Sequence, residues 1–389
     1  MATRTIGIGV IGMGWMGTVN SRAYRSVPDR FPDCGIVPEL VICADNVAER
    51  AEEAQHRFGF AACTTDWQKV LDHPEVEVVN IATPNYLHLE LAKAAVAAGK
   101  HVLCEKPVGR SPEETAEIAQ AAREAGVLTW VGFNYRWAPA VQRACELIRE
   151  GVLGDLTHYR GWLLVGYASD PYSVLSWRLQ EELAGMGALG DLMSHAADMA
   201  MMLAGPIDRV IGQQETFIKE RPVATPGQGD HYSVNRDGPK APVTNEDYVS
   251  TLVRFRNGAY GTLETCRVIQ GPQSEIGFSI HGTRGSMRWD FERMNEFELY
   301  LADDDPEKGY RRVPAGPRHP HHGNFSPGAG IGLGYDDLKS IEAYHFMCSI
   351  VEGRQGNPGF EQALAVAEVQ HAVRRSWETE RWEEIKPIE

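Results

Sequence analysis

Apolar and polar positions follow two different rhythms along this chain, and the change falls about a third of the way in. In the first third, short apolar runs alternate with amphipathic stretches of helical period. "TIGIGVIG" predicts a buried strand, and "MGTVNSRAYRSV" the helix after it. "ELVICAD" with "NVAERAEEAQHRFG", "EVEVVNIATP" with "YLHLELAKAAVAAG", and "KHVLCEKP" with "SPEETAEIAQAAREAG" repeat the unit; "VLTWVGF" ends the series. Ser111 and Pro112 open the last helix as an N-cap serine followed by a proline in the first turn. Continuously apolar strands alternating with helices predict an α/β fold: a doubly wound parallel sheet of Rossmann type over residues 1–135.

Beyond that point alternation of period two takes over. "DLTHYRGWLLVGY", "RVIGQQETFI", "DYVSTLVRF", "AYGTLETCRVI", "EIGFSIHG" and "FELYLAD" predict strands, with hairpin turns at "RNGAY" and "GTRGS". Helices are expected at roughly 187–203, 336–352 and 360–376. Residues 136–389 therefore read as a C-terminal α+β domain around a large, open, mostly antiparallel sheet. Two Pro/Gly-rich polar stretches interrupt it, at 220–246 and 303–335.

A length of 389 residues exceeds one compact core, which agrees with two domains. The formal net charge of −15 argues against nucleic acid and anionic membranes as partners, because both need a basic face. It leaves room for a small anionic substrate in a locally basic pocket. The seven cysteines are scattered without a CxxC spacing, which points away from a disulfide framework or structural zinc and toward a reducing compartment. The chain opens without a basic-then-apolar leader pattern and contains no run of about 18 apolar residues. A cytoplasmic protein is the expectation.

The first candidate chemistry lies in Gly12-Met13-Gly14-Trp15-Met16-Gly17, a GxGxxG turn between a predicted strand and helix. The first glycine permits the tight turn, the second removes a Cβ where a pyrophosphate approaches, and the third lets helix and strand pack closely. The helix N-terminus adds amide donors. Asp45 ends the second strand, where a carboxylate accepts hydrogen bonds from ribose hydroxyls and repels a 2′-phosphate. Asn46 follows, where a site for the phosphorylated cofactor often carries arginine. The pair predicts NAD. Asp45 also reads as a helix cap, a role compatible with the first.

Lys106 ends a predicted parallel strand at the edge that faces ligands in such sheets, beside "IATPN" (81–85). An ammonium there can bind a substrate hydroxyl and favour its alkoxide. In the second domain Asp191 and His195 are four apart, on one face of the expected helix, with Asp198 three further on. A solvated surface lysine and a satisfied structural Asp–His pair are the competing readings. Metal binding is a third, with His319, His321 and His322 as the nearest further cluster. With the dinucleotide turn, a proton relay accounts best for the set, and no metal is expected.

These pieces, with "ATPNYLH", "CEKP", "GFNYR" (132–136), "SWR" (176–178) and "GALGDLMSH" (187–195), resemble the Gfo/Idh/MocA oxidoreductases in content and order. The chain length and "GIGLGYDD" (330–337) resemble the levoglucosan dehydrogenase branch. The resemblance implies hydride transfer between NAD and a ring carbinol of a carbohydrate or cyclitol substrate. It implies Lys106, Asp191 and His195 as catalytic residues. Ala82, Thr83, Pro84, Asn85, His88, Glu105, Lys106, Asn134 and Arg178 join the cofactor site by the same resemblance. Tyr135, Arg136 and Trp177 join Lys106, Asp191 and His195 at the substrate. It also implies a cis Lys106–Pro107 peptide and a homodimer or homotetramer. Met193-Ser194 replace a glycine common in the family between the Asp and His. A redox-assisted glycosidase or lyase working through a 3-keto intermediate is the alternative. A non-enzymatic NAD-dependent regulator is disfavoured by the intact Lys106, Asp191 and His195.

Overall fold

The computed structural model describes residues 3–224, 233–302 and 308–386. The first part of the chain runs β1 (Arg4–Ile11), α1 (Trp15–Arg30), β2 (Ile36–Ala44), α2 (Ala48–Phe58), β3 (Ala62–Thr64) and α3 (Gln68–Asp72). It continues with β4 (Val78–Ile81), α4 (His88–Ala97), β5 (His101–Cys104), α5 (Pro112–Ala125) and β6 (Thr129–Val131). The six strands pair in parallel in the order β3-β2-β1-β4-β5-β6. The order reverses between β1 and β4, the switch point where doubly wound sheets open a ligand crevice. Ile6, Ile8, Val10, Val78, Val79, Ile81 and Val102 are all buried, which explains the continuous apolar runs. Ser111 Oγ accepts from Glu114 N at 3.3 Å, so the expected cap of α5 is formed. The Lys106–Pro107 peptide is cis. β3 and α3 escape the sequence reading because three and five residues are too few to display a period.

The chain then forms α6 (Pro139–Arg149), β7 (Leu156–Val165), α7 (Glu181–Ala184), α8 (Ala188–Asp191), α9 (Met193–Ala204) and β8 (Ile207–Glu215). A short hairpin of β9 (Glu220–Pro222) and β10 (Lys240–Pro242) follows. Next come β11 (Tyr248–Phe255), β12 (Tyr260–Cys266), β13 (Ser274–Gly282), β14 (Gly285–Asp290), β15 (Glu296–Leu301) and β16 (Arg311–Pro314). The last elements are α10 (His322–Phe325), α11 (Tyr335–Glu352), α12 (Phe360–Thr379) and β17 (Glu383–Glu384). A nine-stranded sheet has the order β16-β15-β14-β13-β7-β12-β11-β8-β17, with β7 and β12 parallel and every other pair antiparallel. Tyr159, Leu163, Val249, Val253 and Leu263 bury one face, against which α9 packs on β7 and β12. Leu252 and Tyr260 stand half exposed on the other. Residues 225–232 and 303–307, within the two long connections, lie outside the described residues. Among the described residues no helix is long and apolar enough to cross a membrane.

Two expectations are corrected. The single helix expected over 187–203 is two helices, α8 and α9, that meet at Leu192. Gln370 Nε2 donates to the carbonyls of Leu189 (2.6 Å) and Gly190 (3.2 Å), the acceptors an unbroken helix would offer to Met193 and Ser194. The domain division also differs. One compact unit is Met1–Trp137 with His321–Pro327 and Leu333–Leu364; the other is Ala138–Pro320, Gly328–Gly332 and Ala365–Glu389. Helix α11, assigned by chain order to the second domain, belongs to the first unit. It packs along α1, where Ser26 Oγ donates to Ser340 Oγ at 2.6 Å and Arg22 Nε to Asp336 Oδ2 at 2.6 Å. Phe31 stacks on Tyr344 with ring centres 3.9 Å apart.

His345 of α11 stacks on Trp137 at 4.3 Å and meets His321, Nε2 to Nε2, at 3.0 Å. Burial, reinforced by His321, pushes the His345 pKa from 6.5 down to about 3. The folded protein thus keeps this ring neutral while the unfolded chain takes up a proton below 6.5. Stability from this group is full above that pH and is lost as pH falls toward about 3. His345→Phe should flatten the decline in thermal stability between those limits, read as melting temperature against pH in parallel with the parent protein.

Candidate active site

The glycine turn sits between β1 and α1 in the first unit. Gly12 has φ +93°, and a Cβ there would stand 2.8 Å from the Ala82 backbone. A Cβ on Gly17 would overlap the Gly12 carbonyl oxygen, so this glycine lets α1 close on the turn. At Gly14 a Cβ would meet nothing within 4 Å, so its absence serves open space rather than internal packing. Asp45 is 7% exposed and binds two backbone amides, Met13 N through Oδ2 (2.8 Å) and Val47 N through Oδ1 (2.9 Å). It therefore ties the glycine turn to the start of α2. Arg50 Nη1 lies 3.9 Å from Asp45 Oδ1, and Asn46 is exposed.

The ends of β4, β5 and β6 converge on the same sheet edge. Thr83 Oγ1 and Asn134 Nδ2 are buried with no hydrogen-bond partner among the described residues. Open space at Gly14 and two unpaired buried polar atoms on that edge are what a bound dinucleotide would fill and satisfy. The residues present fit NAD. His88 joins two of the segments: Nδ1 is 2.8 Å from the Pro107 carbonyl and Nε2 is 2.9 Å from that of Thr83. Burial pushes its pKa down while the two carbonyls oppose that shift. His88 thus sits between the "ATPN" and "EKP" segments, where the neutral ring donates its one N–H to one of the two carbonyls. Glu105 is buried and accepts from Asn20 Nδ2 at 3.0 Å and Lys339 Nζ at 2.7 Å. Lys106, Ala82 and Pro84 are half-buried and Asn85 is buried.

Of the expected substrate residues in this unit, Tyr135 sets its ring edge-on to Tyr335 at 6.1 Å. Tyr335 in turn stacks on Trp15 at 5.4 Å and donates to Met16 Sδ at 3.7 Å. Arg136 is 6% exposed and donates to Asn357 Oδ1 at 2.8 Å, which makes it a brace within the unit. The His321–His345 pair accounts for part of the histidine cluster, and His319 Nδ1 accepts from Gly316 N at 3.1 Å. No group of three or more potential metal ligands occurs among the described residues.

In the second unit Asp191 ends α8 and His195, 7% exposed, lies in the first turn of α9. Tyr167, just past β7, donates from its hydroxyl to Asp191 Oδ2 at 3.3 Å. Burial, with Asp191 adding, raises the Tyr167 pKa, so it remains a donor. Arg178 Nε is 4.0 Å from the same oxygen, and its guanidinium lies 4.3 Å over the Trp177 ring. Arg178, expected from sequence at the cofactor, thus stands with Asp191 in this unit. α8 is pinned by Glu246, whose Oε1 accepts from Leu189 N at 2.8 Å. Arg267 pairs with Asp247 at 2.8 Å, both fully buried, and donates to the Arg178 carbonyl at 3.1 Å. A carboxylate held by a tyrosine and an arginine, followed by a histidine one helical turn on, is an arrangement suited to proton transfer.

Residues 6–133 match the family described as "Oxidoreductase family, NAD-binding Rossmann fold", and residues 141–288 match the GFO/IDH/MocA C-terminal domain. The chain belongs to the Gfo/Idh/MocA oxidoreductase family. It is 40% identical over 387 residues to levoglucosan dehydrogenase of Pseudarthrobacter phenanthrenivorans, covering 99% of each chain. A solved levoglucosan dehydrogenase in complex with NADH and levoglucosan superposes with a TM-score of 0.93 at 39% identity, covering 99% of this chain and 100% of that one. An oxidoreductase domain protein from Kribbella flavida gives a TM-score of 0.91 at 37% identity, covering 100% of each. The expected family and NAD-binding fold are thereby established.

Sequence reasoning missed Tyr167 and Lys339, because neither lies in a recurrent spacing and each acquires its partner only through the fold; Tyr335 stands within "GIGLGYDD" but was assigned no role there. It also passed over Arg267, although this Gfo/Idh/MocA site rests on it. Arg267→Met would leave Asp247 charged and buried without its guanidinium partner, held by the Ile218 amide at 3.0 Å, at a cost of about 3–5 kcal/mol. Arg267→Met/Asp247→Leu should recover much of that loss, with chemical denaturation of the single and double variants as the measurement.

Proposed function

We propose that this protein is an NAD-dependent dehydrogenase acting on a ring carbinol of a sugar, anhydrosugar, glycoside or cyclitol, with levoglucosan the first substrate to try. The end-to-end likeness to a levoglucosan dehydrogenase solved with NADH and levoglucosan carries this reading. Bound NAD supplies the acceptor for the carbinol hydride. The turn from Gly12 to Gly17 and the amides at the start of α1 hold the pyrophosphate. Asp45 accepts from the ribose hydroxyls, and Thr83 and Asn134 offer their unpaired atoms. His195 takes the hydroxyl proton. Asp191, with its charge braced by Tyr167 and Arg178, orients the imidazole. Lys106 donates to the oxygen as negative charge develops on it. Tyr135 and Trp177 offer ring faces to the sugar, and Arg136 braces its segment through Asn357.

Lys106→Ala and His195→Ala should each lower turnover by roughly 10²–10⁴-fold, the scale of a positioned acid or base. NAD affinity, titrated by fluorescence, should change far less, since neither side chain belongs to the phosphate cradle. Steady-state assays on a panel of anhydrosugars, monosaccharides, glycosides and cyclitols read the rates through NADH. Folded variants with parental turnover on the best substrate would sink the assignment. Sugar release without net NADH would instead favour the redox-assisted lyase.

Asp45→Asn keeps an acceptor for the Met13 amide but removes the charge that repels a 2′-phosphate. It leaves Arg50 nearby to meet that phosphate. Preference for NAD over NADP should fall by about tenfold or more, the scale of a lost like-charge repulsion. Dissociation constants for both cofactors measure it, and an unchanged ratio would remove Asp45 as the discriminator.

A further inference from the structure

We infer that Lys339 is a positioning residue for the reaction proposed above: its buried ammonium holds Glu105 as a carboxylate directly beside Lys106. The inference rests on Lys106 being catalytic. Lys339 is 1% exposed on α11, and its Nζ donates to Glu105 Oε1 and Glu342 Oε1, each at 2.7 Å. Asn20 of α1 also donates to Glu105 Oε1, at 3.0 Å, and to Asn80 Oδ1 at 3.2 Å. The end of β5 is thus locked to α1, β4 and α11 by one charged network. No motif contains Lys339, and it lies 234 residues from its partner.

The two carboxylates are not equivalent. Burial would raise the Glu105 pKa, but Lys339 first, then Asn20 and Lys106, bring it below the ordinary carboxyl value. Burial raises the Glu342 pKa to about 7, against Lys339 and with Glu105 adding to the rise. Lys339 therefore favours the carboxylate at Glu105, while burial and the Glu105 charge favour the protonated acid at Glu342. From its own strand end Glu105 faces Lys106 and Cys104; from α4 it faces His88, and from α1 Tyr24. From α11 it faces Tyr335 as well as Lys339 and Glu342, and Arg136 acts on Glu342. Lys106 and Lys339 are the cations that lower the Glu105 pKa directly. The carboxylate that Lys339 holds in place therefore adjoins Lys106 in the chain, and its fixed charge helps to set where the Lys106 side chain rests.

Removing the Lys339 charge leaves only Asn20 and Lys106 to offset burial, so the Glu105 pKa rises. Lys339→Met should lower turnover by about tenfold or more at neutral pH and add an acidic limb to the pH–rate profile, with activity returning as pH rises and Glu105 ionises. A merely structural lysine would lower the folded fraction and the melting temperature without adding that limb. Lys339→Arg keeps the cation and should restore much of the rate.

Glu105→Gln should match the low-pH rate of Lys339→Met and show no new limb. In the protein without cofactor, infrared difference spectra of Lys339→Met against Lys339→Met/Glu105→Gln should contain a protonated carboxyl band at neutral pH. Rates are read with NAD and levoglucosan, or with the best sugar of the panel, and Lys106→Ala serves as the control. Parental turnover in Lys106→Ala overturns the reading beneath the inference. An impaired Lys106→Ala, with Lys339→Met and Glu105→Gln at the parental rate and pH profile, overturns the positioning role alone. If Lys339→Met does not fold, Glu105→Gln decides the matter: turnover within about twofold of the parent overturns the inference.

Discussion

An ammonium withdrawn from water must be met by negative charge at hydrogen-bond distance, and this constraint at Lys339 organises the first unit. Glu105 and Glu342 meet it from opposite sides, one at the end of a sheet strand and one on the helix that carries the lysine. The helix cannot leave the sheet without stranding a buried charge. That is a physical reason for α11 to belong with β1–β6 although most of the second unit intervenes in the chain. The aromatic contacts of Phe31 with Tyr344 and of Trp137 with His345 add packing along the same helix. They are not selective in the way the charges are. A different apolar helix could fill that space, whereas the cation at this depth acts most strongly, ahead of Asn20 and Lys106, to favour the Glu105 carboxylate.

The second unit solves a different problem. Its proposed base, His195, lies at the start of a helix whose entry must be held still. Gln370 takes the carbonyls of Leu189 and Gly190, Glu246 takes the amide of Leu189, and α8 ends one turn before the histidine. The interruption at Leu192 lets Asp191 close one short helix while His195 opens another. Asp191 is then free to accept from Tyr167 and to approach Arg178, contacts set by the connections that follow β7. The buried Arg267–Asp247 pair fixes Arg178 from behind through its carbonyl.

What could be read from sequence follows the range of the forces involved. The Rossmann sheet was legible because strands buried on both faces must be apolar throughout, and the glycine turn because Gly12 and Gly17 meet local steric demands. The capped start of α5 was legible for the same reason: Ser111 and its acceptor contact lie within one turn. The break at Leu192 was not, since the Gln370 side chain that meets the carbonyls beside it is 181 residues from Leu189. Lys339 and Glu342 are three apart on a helix, the spacing of an ordinary solvated ion pair. Only the fold reveals that both are buried. His88 and Arg136 stand in motifs that resemble the family's ligand-binding segments, yet the fold engages their polar groups with Pro107, Thr83 and Asn357. Motif membership singles out segments, but it does not separate residues placed to touch a ligand from residues that hold those segments in place.

The division of labour between the units bears on where specificity is written. At the sheet edge of the first unit Thr83 Oγ1 and Asn134 Nδ2 are left without protein partners among the described residues, and they suit the dinucleotide of an NAD-binding Rossmann fold. A change there would disturb charges balanced by burial and would be felt as lost stability or lost cofactor. Around Asp191 the polar groups are partly exposed: its side chain is 23% accessible and that of Arg178 is 30%. Charges in contact with water can be altered without an uncompensated burial cost. Tyr167 and Trp177 lie on connections rather than on buried strands, where side chains can vary while the backbone holds. On the proposed assignment of the substrate to the Asp191 segment, the physical room to change lies around Tyr167, Trp177 and Arg178, while the glycine turn, Asp45 and the Glu105 network are held by burial.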